Sequence, residues 1–354
     1  MLKQFRLEIL LAFPILIYPI FLDVYYSGLV YSDRFIYWFI QSIIFSIFMV
    51  VYYAGLKKDL LEDVILVTFI AAIITLMSFT IKPFEVFVTS IQSDPVFEIY
   101  SDFEHRYRAH GFSQHLNFSY GVLMGFMAGV CLFLGRIKMW YYLLIPFMLF
   151  ASFVNARTGV IIFSIFLLLY FFSLLRSVKG LFLLFILVVF LLILFVVLYS
   201  VNSDIFDSWY FAVFKDIFSF FSGSGGGTLS VIFGDFMIFP DDVLGVLLGT
   251  GESIYLRSYG NSDVGFILQI YYAGLLFTIY LYLYMFFYYW RVGANIGYLG
   301  WFPLMFLMTF LLMNTKGFFF AGVPGVKVLF LLYAYFITNV RFYVNPAWRS
   351  YVSK

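Results

Sequence analysis

Ten stretches of this chain are each apolar for close to the ~20 residues that a helix needs to cross a lipid bilayer, and that feature leaves few folds open. In hydrocarbon, backbone N–H and C=O groups must be satisfied internally, which an α-helix achieves within its own segment. The runs lie at about 7–25, 35–55, 64–80, 117–134, 139–154, 158–175, 181–200, 263–290, 298–313 and 324–340. They predict an all-α polytopic membrane protein of about ten transmembrane helices, forming a single transmembrane domain over residues 1–354. The eighth run is long enough to tilt or to project beyond the bilayer. Composition agrees: 64% of residues are hydrophobic and only 11% are Asp, Glu, Lys or Arg, against roughly 25% charged in soluble domains. The 50 Phe and 29 Tyr supply lipid-facing surface and interfacial belts.

Several function classes fall away at once. The net charge of +2 is not gathered into a basic stripe, because Lys and Arg sit singly at helix ends, so a nucleic-acid partner is not expected. Cys131 is the only cysteine, which rules out an internal disulfide and a thiol cluster for a metal. Met1 to Arg6 ahead of an apolar run resembles a secretion signal, but no small-residue cleavage site follows and the run continues to Leu22, so it reads as a retained first helix.

Orientation follows from the basic residues. With the N-terminus inside, the short inner segments hold Lys3, Arg6, Lys57, Lys58, Arg136, Lys138, Arg176, Lys179, Arg291, Arg341, Arg349 and Lys354. The other nine of the 21 Lys and Arg are spread over far longer outer segments, the asymmetry that the positive-inside rule requires. Both termini are therefore expected in the cytoplasm. Two sizeable outer loops follow, a first at 81–116 and a second, larger one at 201–262, while most other connections are short. Ser222 to Thr228 (SGSGGGT) in the second loop lacks the Gly-Lys-Ser/Thr of a phosphate-cradling loop and reads as a connector or a substrate-contacting turn. No internal repeat of the kind that builds many transporters is visible.

The polar residues at the outer boundary need a reason. Arg108, Arg157 and Arg257 each stand a few residues ahead of a helix running from outside to inside. Orphan N–H groups, the positive end of the helix dipole and a guanidinium then meet on one plane and make an anion site. In Asn155-Ala156-Arg157-Thr158-Gly159 the turn is very short, and Thr158 is a candidate cap for the sixth helix. The plain alternative is that Arg157 snorkels to lipid headgroups.

All three histidines, His105, His110 and His115, fall in one eleven-residue stretch. Their spacing of five and five suits neither adjacent helical turns nor a short chelating loop, so no metal is expected. Solvated loop histidines, or a proton-transfer or sugar-contacting role for at least one, remain. A third cluster runs from Gly249-Thr250-Gly251-Glu252 through Arg257 to Asn261-Ser262-Asp263-Val264-Gly265. Asp263 or Ser262 is an N-cap for the eighth helix, or Asp263 faces a cavity with Arg257 as partner. Lys316, between the ninth and tenth helices, is a further outer cation.

Arg108-Ala109-His110-Gly111 with Asn117, the Ala156-Arg157-Thr158-Gly159 turn, and Gly249-Thr250-Gly251 followed by Ser262-Asp263-Val264-Gly265 and Gly274 occur in that order. In this order, with ten-odd helices and a large late outer loop, the chain resembles the Wzy-type O-antigen and capsule repeat-unit polymerases, relatives of the O-antigen ligases. The resemblance covers nearly the whole chain. It implies a bacterial inner-membrane glycosyltransferase that works on the periplasmic face with undecaprenyl-diphosphate-linked oligosaccharides, without nucleotide, metal or other cofactor. It also implies membrane lipid as the setting, and a chain-length regulator and a flippase as potential partners. Family arginines that bind the lipid diphosphate correspond to Arg108, Arg157 and Arg257, with Asn117, Asn155, Thr158 and Lys316 in support. The ligases use a histidine in the late large loop, where this chain has none, which favours polymerase over ligase. Glu252, Asp263, His110 and His115 are the candidates for the catalytic base, unranked. A flippase or transporter for the same lipid-linked sugars, and an O-antigen ligase, are the rival readings.

Overall fold

The computed structural model describes residues 2–26, 32–56, 58–91, 119–174, 237–252, 264–296, 301–315, 317 and 324–342, with a few single positions between 182 and 196. Every element among the described residues is helical: α1 Arg6–Tyr25, α2 Ser32–Leu56, α3 Leu60–Thr80, α4 Lys82–Ile91, α5 Ser119–Leu134, α6 Tyr141–Asn155, α7 Arg157–Leu174, α8 Val243–Leu248, α9 Gly265–Ile296, α10 Trp301–Asn314 and α11 Pro324–Phe342. Four of these contain an apolar stretch long enough to cross a membrane, Arg6–Tyr25, Phe35–Leu56, Leu60–Thr80 and Gly265–Ala294, and five shorter apolar helices accompany them. The seventh apolar run of the sequence lies largely outside the described residues.

These helices are apolar nearly all round, as segments surrounded by protein on one side and lipid on the other must be. Their hydroxyl residues stay dry by turning back on their own helix. Ser42, Ser46, Thr68, Thr75, Thr80 and Thr338 each donate to the carbonyl four residues earlier, a local bond that lets a hydroxyl sit in hydrocarbon. Pro14 and Pro19 in α1 and Pro146 in α6 interrupt the ladder without ending the helix, as membrane helices tolerate.

The chain divides into two compact units, residues 1–60 with 219–354, and residues 61–218. In the first, α2 packs on α11, and α9 meets α1, α8, α10 and α11. Its interior is aromatic, with Phe35, Phe39, Tyr272, Tyr284, Tyr288, Phe306, Phe330 and Tyr333 all buried. Glu8 on α1, almost wholly buried, pairs with Arg291 of α9 and accepts from the Tyr333 hydroxyl of α11 at 2.7 Å. Tyr284 donates to the Glu8 carbonyl at 3.2 Å and shares a 2.6 Å hydrogen bond with Tyr288. One polar knot thus ties three helices near one end of the unit.

In the second unit α5 lies against α6 and α7 with backbone near backbone. A side chain at Gly125 or Gly159 would collide with the carbonyl of Gly159 or Gly121, and one at Gly121 with Ala156. Tyr120 bridges to α3, donating to the Ala71 carbonyl at 3.0 Å and sharing a 2.7 Å bond with Thr75. The first stretch of the loop expected at 81–116 is helical. In α4, Lys82 pairs with Glu85 one turn on at 2.7 Å and Val88 is buried, an arrangement that supports a helix where length alone suggested an irregular connection.

Candidate functional site

The α6–α7 turn is built by close packing. α6 ends at Asn155, Ala156 is extended at φ −159° and ψ 117°, and α7 begins at Arg157. The Ala156 N–H donates to the Ser152 carbonyl at 2.7 Å and the Gly159 N–H to the Ala156 carbonyl at 3.1 Å. Gly121 leaves room for the Ala156 side chain and Gly159 for the Ser152 hydroxyl. Arg157 is thereby the first residue of an 18-residue helix, at its positive end. Thr158, expected as the cap, instead lies within the first turn; the extended Ala156 precedes the helix and its carbonyl takes the first turn's bond. Asn155 donates to the Ala151 carbonyl at 2.9 Å, leaving its Oδ1 buried and without a partner among the described residues, as is the Ser152 hydroxyl beside it. Ser152 carried no signal in the sequence beyond being a small polar residue in an apolar run.

The second place is in the other unit, where the short α8 runs into Gly249-Thr250-Gly251-Glu252. Asp242 caps α8 by accepting from the Gly245 N–H at 2.7 Å. Gly249 turns the chain at φ +91° and Gly251 at φ +69°, conformations that a side chain disfavours. Thr250 donates twice to the Tyr271 carbonyl of α9, from its N–H at 2.8 Å and its hydroxyl at 3.0 Å. α9 is broken three residues beyond Tyr271, where Gly274 takes φ +79° and ψ 172°. Gly274 and Gly249 leave no room for side chains on each other's backbone. Tyr18 of α1 donates to the Leu248 carbonyl at 2.7 Å and Tyr26, just beyond that helix, to the Gly249 carbonyl at 3.1 Å, with the Tyr26 ring against Gly251.

Glu252 leaves this clamp partly buried, with Oε2 buried and unpartnered among the described residues. Burial pushes its carboxyl above its ordinary value, since charging it costs solvation. Of the sequence candidates, Asn155, Arg157 and Thr158 lie in the unit of residues 61–218 and Glu252 in the other. Arg108, His110, His115, Asn117, Arg257, Asp263 and Lys316, and the side chain of Arg157, lie outside the described residues. Among the described residues no group of three His, Cys, Asp or Glu is placed to hold a metal ion. Sequence reasoning missed Tyr18 and Tyr26, which hold the Gly249 turn, and gave Gly274 as part of a motif without its helix break; the three glycines were the available signal.

No family model, characterised protein or solved structure matches this chain.

Proposed function

We propose that the protein is a polymerase of lipid-linked oligosaccharide repeat units, a multi-pass bacterial inner-membrane glycosyltransferase of about ten crossings with its active face in the periplasm. The growing glycan on undecaprenyl diphosphate is the donor. A hydroxyl oxygen of a single lipid-linked unit attacks the donor's anomeric carbon, the bond from that carbon to the diphosphate oxygen breaks, and undecaprenyl diphosphate departs with the electron pair. The hydroxyl proton passes to a base, for which Glu252, Asp263, His110 and His115 are the candidates. Arg157, Arg257 and Arg108 neutralise the charge that develops on the leaving diphosphate, an electrostatic role that fixed cations and helix N-termini fill best in a water-poor site.

The observation that most supports this reading is the placement of Arg157 at the first position of α7, on a turn fixed by Gly121, Ala156 and Gly159. A cation at the positive end of a helix suits a diphosphate. Chemistry of this kind needs no nucleotide and no metal. The test is the glycan ladder of a strain lacking the gene, complemented with wild type or with Arg157→Ala at equal membrane levels. The expected result is a ladder with wild type and a single-unit band with the variant. Normal polymerisation by both Arg157→Ala and Arg257→Ala would overturn the diphosphate assignment.

A carrier for the same lipid-linked sugars is the second reading, favoured by the break in α9 at Gly274, since discontinuous helices build the binding sites of many transporters. Reconstituted vesicles separate the two: a carrier moves labelled lipid between leaflets without lengthening its glycan.

A further inference from the structure

We infer that residues 237–251, in the stretch read from sequence as an aqueous outer loop, form a re-entrant segment whose apolar side chains lie among the acyl chains of one bilayer leaflet.

The exposed side of this segment is hydrocarbon. Val243 is 75% exposed and Leu244 67%, and Ile238, Phe239, Leu247 and Leu248 are exposed beside them. Six such residues in a stretch of eleven are costly to leave in water, and a patch of this kind marks a surface with a partner.

Depth identifies the partner. The Glu8–Arg291 pair lies in the first turn of α1 and near the end of α9, and ionisable residues at the ends of spanning helices sit at the hydrocarbon edge. From Arg291 to Gly274, α9 runs about 25 Å at ~1.5 Å per residue, against about 30 Å for the hydrocarbon core. Gly274, which touches the backbone of Leu247, Leu248 and Gly249, is then about 5 Å inside the far edge. An independent measure comes from α1. Tyr18 is about 15 Å along the helix from Glu8, and an extended phenol with its hydrogen bond adds at most about 9 Å. The Leu248 carbonyl that Tyr18 donates to is therefore also inside that edge.

The return stretch is built for such a place. Non-helical backbone survives at membrane depth only where protein satisfies it. Here the Leu248 carbonyl has Tyr18, the Gly249 carbonyl has Tyr26, and the Thr250 N–H and hydroxyl have the Tyr271 carbonyl. Asp241 and Asp242, both exposed, stand at the start of α8, where a headgroup layer would meet them. A helix lying some 5–10 Å into the boundary with charge at its rim and aliphatic residues below is the arrangement that interfacial helices adopt. None of this depends on the polymerase reading.

The test uses the full chain in phospholipid vesicles, with the parent protein as blank because Cys131 is buried. Single variants Val243→Cys, Leu244→Cys, Ile238→Cys and, as the aqueous control, Asp241→Cys are treated with a charged maleimide applied to both faces, and separately with the membrane-permeant dye bromobimane. The apolar positions should react with the maleimide at least about tenfold more slowly than position 241, as expected for side chains below the headgroups. The dye should attach at them, and vesicles containing lipid with an acyl-chain nitroxide should quench it there far more than at position 241. Maleimide rates equal to that of position 241 would place the segment in water and overturn the inference. Failure of the dye to attach, or attachment without quenching by the nitroxide lipid, would show a protein cover such as a second copy and overturn it equally. Four positions read one surface, so loss of any one variant to misfolding leaves the rest to decide.

Discussion

The α5–α6–α7 group and the α1–α9–α11 group bring apolar helices together by opposite means. In the first, small residues let main chains approach, so that Gly121, Gly125 and Gly159 stand where any side chain would meet backbone. In the second, a buried carboxylate, a guanidinium and phenols from three helices bond to one another inside an aromatic interior. In lipid the hydrophobic effect gives little reason for helices to pair, so close van der Waals contact and interhelical polar bonds must supply it. The difference predicts different failures. A close-packed interface should respond to added volume, a polar knot to the loss of one member.

The largest effect is expected at the knot. Arg291→Met leaves the Glu8 carboxylate buried without its counter-charge, which for a buried pair costs about 3–5 kcal/mol; Arg291 is partly exposed, so the low end applies. The double variant Glu8→Leu with Arg291→Met should recover most of the loss, because two apolar residues leave no charge stranded. Thermal midpoints of the purified proteins in one detergent measure both. A double variant no better than the single would mean that the pair contributes specific attraction beyond mutual neutralisation.

Next comes Gly125→Ala, whose added methyl falls on the Gly159 carbonyl and forces α5 and α7 apart. Overpacking of this kind costs about 1–3 kcal/mol, and Gly125→Leu should cost more. Gly55 in α2 is the control, since a methyl there meets nothing within 4 Å. Alanine at that position should be neutral or should stabilise by up to ~1 kcal/mol through helix propensity. Equal midpoints for the Gly55 and Gly125 variants would show that α5 and α7 yield easily and would break the contrast drawn above.

Much of the helical layout was legible because a bilayer imposes a length: the runs at 7–25, 35–55 and 64–80 correspond to α1, α2 and α3 with ends within a few residues. Hydropathy reports segment length and composition, however, and says nothing of which face meets which neighbour. The Glu8–Arg291 pair spans 283 residues of sequence, and neither residue stood out as more than a helix-end charge. Gly274 was legible as a member of the ordered motif, but the break in α9 was not, because only its juxtaposition with Gly249 makes it a junction. Arg157 is visible in the sequence as a cation ahead of an apolar run, and the structure places it at the start of α7, whereas Thr158 as cap failed on a shift of one residue in the helix start. Glu252 is legible beside its glycines, but Tyr18 and Tyr26, which fix those glycines, are not.

Glu252 offers the smallest and most specific effect. It belongs to neither means of packing: no described cation meets its Oε2 and burial raises its carboxyl. The folded state therefore holds the proton more tightly than the unfolded chain does, and linkage gives the sign. The cost is absent below the unfolded value near ~4.3 and grows as pH rises through the higher folded value. Glu252→Gln, which cannot ionise, should match wild type at a pH of about 4 and exceed it in thermal midpoint at neutral pH. Midpoints of both proteins across that range decide it. A variant less stable than wild type at neutral pH would mean that the carboxylate has a donor in the folded protein and is part of the packing after all. The expected outcome would instead set it apart, as a group whose charge the fold bears at some cost. Such strain against local rules is where a functional site is sought, and it would make Glu252 the first of the four candidate bases to test for loss of chain extension.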